Sequence, residues 1–147
     1  MSNQVDEMNS MVSNVLVVED DEAARQLTCE MLSVLGLEAR GVATAEEAVE
    51  LLRRDKFVFL VADIALPAMT GIELATLAVD IQPNIRIIFA SGNGYLISNR
   101  LDYEFILLPK PYNLVQLKLA LEEYPQWNTL HQPQPSAIQV ARSPLRR

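Results

Sequence analysis

Five short apolar runs recur along this chain, and the intervals between them carry helical periodicity. The runs are Val15-Leu16-Val17-Val18, a weaker stretch at 37–42, Phe57-Val58-Phe59-Leu60-Val61-Ala62, Ile85-Arg86-Ile87-Ile88-Phe89-Ala90 and Phe105-Ile106-Leu107-Leu108-Pro109. Apolar runs alternating with helical segments build βαβ units, and these make a parallel sheet covered on both faces. The pattern predicts strands near 15–19, 37–42, 58–63, 86–90 and 105–108. It predicts a first helix over about 22–35, with Leu27, Met31 and Leu35 at four-residue spacing and Gly36 ending it. A second helix follows at 45–54, where Thr44 and Glu47 read as a capping box and Ala48, Leu51 and Leu52 as the apolar side. A third spans about 71–81 and stops before Pro83, a weak fourth lies at 95–100, and a fifth at 113–123 presents Leu114, Leu117 and Leu121. Five strands and five helices in alternation read as a small doubly wound α/β fold.

Four of the runs end on side chains that carry chemistry. Glu19, Asp20 and Asp21 close the first, Asp63 closes the third, Ser91 the fourth and Lys110 the fifth. In open α/β sheets the carboxyl ends of parallel strands gather at one edge, where ligands bind. Glu19, Asp20 and Asp63 can therefore meet there, and clustered carboxylates repel one another unless a cation sits among them. Hard oxygen ligands with room for water suit Mg²⁺, which also favours phosphate oxygens. Asp63 is then a candidate nucleophile, Lys110 a positive charge for phosphoryl oxygens and Ser91 a hydroxyl donor. Gly92 leaves space for the incoming group and offers a backbone N–H. Asp21 reads as the N-cap of the first helix.

A chain of 147 residues, 50% hydrophobic and 21% charged, is one globular domain by length. Its apolar runs are too short for a membrane helix, and residues 1–14 lack the pattern of a signal peptide, so a cytoplasmic location is expected. Cys29 stands alone, which excludes a disulfide framework. The last acidic residue is Glu123, whereas Arg142, Arg146 and Arg147 follow it, so an acidic body precedes a basic end. Such a body is a poor general binder of nucleic acid. Pro125, Pro133, Pro135 and Pro144 are half of the chain's 8 prolines. The expected organisation is a flexible segment at 1–14, a domain at 15–123 and a proline-rich, basic, flexible tail at 124–147. His131, the sole histidine, falls in that tail without an acidic neighbour.

Four ordered motifs, VLVVEDD at 15–21, LVADIALPAMTG at 60–71, IIFASG at 87–92 and LLPKPY at 107–112, make the chain resemble a response-regulator receiver domain of two-component signalling. The resemblance covers 15 to about 123. It implies the flavodoxin-like strand order 2-1-3-4-5, which the chemotaxis receiver shares. It further implies Glu19 and Asp20 as the acidic pair for Mg²⁺ and Asp63 as phosphoacceptor. Ser91 would be the switch hydroxyl and Lys110 the phosphoryl-binding lysine. The backbone carbonyl of Ala65 would be a further metal ligand and the Lys110-Pro111 bond would be cis. Leu107 occupies the switch position, three before Lys110, where many relatives carry a Tyr or Phe, and Ala65 has no side chain with which to orient an attacking water.

The function so implied is a phosphoacceptor that receives its phosphoryl group from a histidine kinase or histidine phosphotransfer protein and signals to an output protein by contact. It would catalyse nothing beyond its own phosphorylation and dephosphorylation at Asp63. It would be a stand-alone regulator or a receiver cut from a hybrid histidine kinase. A phosphorylation-independent receiver-like scaffold is the alternative. A phosphohydrolase using an aspartyl phosphate is disfavoured because Ala65 cannot act as general acid. A nucleotide or flavin carrier is disfavoured because the first turn is acidic where a phosphate cradle needs glycines.

Overall fold

The computed structural model describes residues 14–92, 101–123 and 139–141. Its elements run β1 (Asn14–Val18), α1 (Glu22–Val34), β2 (Glu38–Val42), α2 (Ala45–Arg54), β3 (Phe59–Asp63), α3 (Gly71–Ile81), β4 (Arg86–Ser91), β5 (Phe105–Pro109), α4 (Leu114–Glu123) and β6 (Gln139–Ala141). Strands lie in the order β2-β1-β3-β4-β5-β6. The first five pair in parallel, so the expected five-stranded order 2-1-3-4-5 is present.

Period-two alternation divides the core into two layers. Leu16, Val18, Leu60, Ala62, Ile87 and Phe89 face α2 and α3, where Leu51, Leu52, Leu74 and Ala78 meet them. Val15, Val17, Phe59, Val61, Ile88 and Ile106 face the other side and pack on Leu32, Leu117 and Leu121 of α1 and α4. All five residues of β3 are buried, which explains the apolar run that leads up to Asp63.

The observed elements differ from the expected ones at two places, and a third expectation falls outside the described residues. The described residues contain four helices rather than five, and the segment expected to form another, 95–100, lies outside them. The sheet has a sixth strand, because Gln139–Ala141, inside the stretch expected to be a flexible tail, pairs antiparallel with Phe105–Leu107. Without it β5 would be an edge strand with a row of unpaired N–H and C=O groups, and an extended segment satisfies them. The start of β1 at Asn14 also takes one residue from the segment expected to be flexible, and 1–13 lie outside the described residues.

The buried face of α1 is turned from the predicted one. Thr28 and Leu32 are buried, while Leu27 is 54% exposed. The full capping box belongs to α3, where Thr70 accepts from the Glu73 N–H and the Glu73 carboxylate accepts from the Thr70 N–H, both at 3.1 Å. At α2, Thr44 accepts from the Glu47 N–H, but Glu47 reaches past it to the N–H of Ala43. Gly36 closes α1 as predicted, with φ at +88°. No helix among the described residues is long and apolar enough to cross a membrane.

Candidate functional site

The parallel register brings the polar strand ends together. Val18 pairs with Ala62, Asp63 with Ala90 and Ser91 with Pro109, so residues 19, 63, 91 and 110 leave the same sheet edge side by side. Glu19, Asp63 and Ser91 are buried, and with Thr28 they are the buried polar residues among those described.

Glu19 is pinned on both sides of its peptide. Its N–H donates to the Val42 carbonyl at 3.1 Å, and the Arg25 guanidinium donates to its carbonyl at 2.9 Å. Its Oε2 accepts the N–H of Asp21 at 3.1 Å. Asp21 itself caps α1 by accepting from the Ala24 N–H at 2.9 Å, as the sequence predicts. Asp63 Oδ1 accepts the N–H of Ala65 at 3.0 Å. Its other oxygen faces Lys110, whose Nζ donates to Asp63 Oδ2 at 3.0 Å and to Glu19 Oε1 at 2.8 Å. Lys110 is fixed at its root as well, since its backbone N–H donates to the Ser91 carbonyl at 2.7 Å. The bond that follows, Lys110-Pro111, is cis.

The electrostatics follow from burial and pairing. Desolvation pushes the Glu19 carboxyl above its usual range, and the nearby Asp63 charge adds to it, although the hydrogen bond from Lys110 pulls the other way. Burial disfavours the Lys110 charge, yet its bonds to Glu19 and Asp63 prevail and push it up to about 12. One ammonium thus serves two buried acids, and the third acid, Asp20, is exposed.

Glu19, Asp20 and Asp63 each offer a carboxylate oxygen, and these lie within 4.8 Å of one another. An all-oxygen donor set with one solvent-facing member fits a hard divalent cation that keeps part of its water shell. Ala65 is exposed beside this cluster. Gly92 lies over the lysine stem, where a Cβ would sit 3.8 Å from Lys110 Cδ, an ordinary contact, so the position does not require glycine on steric grounds. Leu107 is half-buried on β5 opposite Phe89.

The structure brings in residues that carried no role in the sequence. Gly71 seats the start of α3 on the site, since its N–H donates to the Ile64 carbonyl at 2.9 Å and a Cβ there would fall 2.2 Å from the Asp63 carbonyl oxygen. Arg25 holds Glu19, and Tyr112 reaches Thr28 across the fold. A threonine within the apolar period of α1 was the available signal for the last pair.

The chain matches the family model described as response regulator receiver domain over residues 15–122. It is 30% identical over 115 residues to the response regulator receiver protein CpdR of Brucella abortus (strain 2308), covering 76% of this chain and 96% of that protein. It is also 30% identical over 116 residues to the sensor kinase CckA of the same organism, there spanning 76% of this chain but 12% of the kinase. A CheY-like receiver domain protein from Methanospirillum hungatei JF-1 superposes with a TM-score of 0.68 at 25% identity, over 80% of this chain and 94% of that one.

Proposed function

The chain belongs to the response regulator receiver family, and from that premise we propose that it is a phosphoacceptor of a two-component phosphorelay. It takes a phosphoryl group from a phosphohistidine donor onto Asp63 and changes its protein contacts as a result. One observation carries the reading: the Lys110 ammonium, 2.8 Å from Glu19 and 3.0 Å from Asp63, stands beside a cluster of three acids. Phosphoryl transfer asks for a positioned nucleophile and charge neutralisation, and little else.

Asp63 is the nucleophile. One of its carboxylate oxygens bonds to phosphorus as the P–N bond of the donor breaks, and the bonding pair leaves on the imidazole nitrogen. The Ala65 N–H, bonded to Oδ1 at 3.0 Å, restricts rotation of the carboxylate and so orients the attack. Lys110 offsets the phosphoryl charge from the Oδ2 side, while the Ser91 hydroxyl and the Gly92 N–H donate to phosphoryl oxygens. Glu19, Asp20, Asp63 and the Ala65 carbonyl would hold Mg²⁺, which when bound neutralises charge on the transferring group.

New charge at Asp63 draws Ser91 and Gly92 inward and repacks the surface around Leu107, two residues back along the neighbouring strand. Output is by protein contact, the donor is a histidine kinase or histidine phosphotransfer protein, and the setting is cytoplasmic. The receiver unit itself occupies 15–123.

The test is the intact mass of the full chain after incubation with Mg²⁺ and a small acyl phosphate donor, with Asp63→Asn alongside. A single phosphoryl adduct on the wild type alone is expected. Equal labelling of Asp63→Asn would refute the assignment. No labelling of a folded, Mg²⁺-binding wild type, with a phosphohistidine protein donor equally ineffective, would favour the scaffold reading instead.

A further inference from the structure

Thr28 is the one buried polar residue, among those described, that does not belong to the sheet-edge cluster. It lies in the second turn of α1 at 4% exposure, on the helix face where an aliphatic residue would ordinarily pack. Its Oγ1 is 2.7 Å from the hydroxyl of Tyr112, 84 residues away in sequence and two residues beyond Lys110. Burial disfavours ionisation of the Tyr112 phenol, so the hydroxyl stays available for that bond.

Tyr112 packs on the core layer that contains Leu32 of α1, and that packing is incomplete on one side. A hollow of about 360 Å³ beside it is lined by Leu27, Thr28 and Met31 of α1 together with Gly92, Lys110 and Tyr112. Beside that hollow, the two hydroxyls add a directional bond between the loop and the helix. That pair braces two halves of the site. The turn leading into α1 carries Glu19 and Asp20, and the loop after β5 carries Lys110. The lysine must span from one to the other to keep its 2.8 Å bond to Glu19 while it also bonds Asp63, at the end of β3, at 3.0 Å.

We infer that Thr28 and Tyr112 are positioning residues, which fix the Lys110 loop against α1 so that the ammonium is aligned on Glu19 and Asp63 before the phosphoryl group arrives. The inference rests on the function proposed above for the same site. It does not depend on the ring of Tyr112, which a Phe would supply, but on the bond between the two hydroxyls.

The experiment compares the full-length wild type with Tyr112→Phe, Thr28→Val, Thr28→Ser and the Val/Phe double variant. Two properties are read for each: the rate of phosphoryl acceptance from a small acyl phosphate with Mg²⁺, and hydrogen exchange at the Lys110 backbone N–H. Urea midpoints are recorded so that the rate is corrected for unfolded protein. Losing the bond should slow acceptance about fivefold, the rate equivalent of about 1 kcal/mol, in both Tyr112→Phe and Thr28→Val. The Lys110 amide should exchange faster in both, Thr28→Ser should restore both properties, and the double variant should be no worse than either single one. Tyr112→Phe decides the matter if Thr28→Val does not fold.

Unchanged rates in the single variants, losses that multiply in the double variant, or failure of Thr28→Ser to restore the rate would overturn the inference. A wild type that accepts no phosphoryl group counts against the proposed function instead. The Lys110 amide then decides the brace by itself, with faster exchange in the variants upholding it and unchanged exchange overturning it.

Discussion

Gly71→Ala should destabilise the protein, although alanine is the better helix former. A Cβ at this position would meet the Asp63 carbonyl oxygen at 2.2 Å and the Asp63 carbonyl carbon and Ile64 Cα at 2.9 Å each. All three are backbone atoms of the β3 terminus, which is hydrogen-bonded to β4 and has nowhere cheap to move. Gly→Ala inside a helix gains at most about 1 kcal/mol, and at the first helical position less of that is realised. Overpacking a tight site costs about 1–3 kcal/mol and sometimes more, and a clash against backbone belongs at the upper end. The net expectation is a loss of about 2 kcal/mol, read as a lower urea midpoint with an unchanged denaturant slope. Gly36→Ala serves as the control. Nothing lies within 4 Å of a Cβ there, and only its φ of +88° opposes a side chain, so its cost should be about 1 kcal/mol from backbone strain alone. Gly71→Ala should also slow phosphoryl acceptance by more than its unfolded fraction explains, because Asp63 moves with the displaced peptide; Gly36→Ala should not. A Gly71→Ala protein as stable as the wild type would refute the claim that α3 is seated on the Asp63 peptide.

Two other residues tie the fold together in ways that can be measured. Gln82 donates from Nε2 to the Leu52 and Asp55 carbonyls at 2.7 Å each and accepts the Phe57 N–H at 3.0 Å. Gln82→Ala leaves all three backbone groups to solvent or to nothing and should cost about 2–3 kcal/mol in urea unfolding, while Gln82→Glu, which cannot donate to the carbonyls, should rescue little. If Gln82→Ala costs no more than a surface substitution, the side chain does not join α2 to α3. Lys110 is held up to about 12, above its ordinary value of 10.5. A raised folded-state pKa contributes stability that is complete below the unfolded value and is lost as pH rises through the folded one. In Mg²⁺-free buffer the difference in urea midpoint between wild type and Lys110→Met should thus hold steady from neutral pH to about pH 10 and shrink between pH 10.5 and 12. A difference that grows with rising pH would contradict the pairing.

The strand ends were legible in sequence because a parallel sheet buried on both faces leaves a long apolar signature, and a charge that closes such a run is costly unless it meets a partner. Glu19, Asp63, Ser91 and Lys110 came from that pattern, and their convergence at one edge follows from parallel strands. What escaped the sequence has a common cause. The turned face of α1, the brace between Thr28 and Tyr112 and the seat of Gly71 all depend on what a distant segment presents. No local period reports that.

The sixth strand is the clearest such case. Gln139–Ala141 lies among prolines and lacks periodicity, so nothing local marks it as a strand. Its partner is the unpaired edge of β5, and that edge exists only once the other five strands have assembled. By itself the sequence determined the fold class and which side chains stand at the strand ends, because burial periodicity is written residue by residue; the expected strand order came only from the resemblance of its four motifs to the receiver family. Only the tertiary structure decided which of those side chains share one ammonium, which glycine must stay bare, and where the last strand pairs, because each of these is a distance between residues that the chain itself keeps far apart.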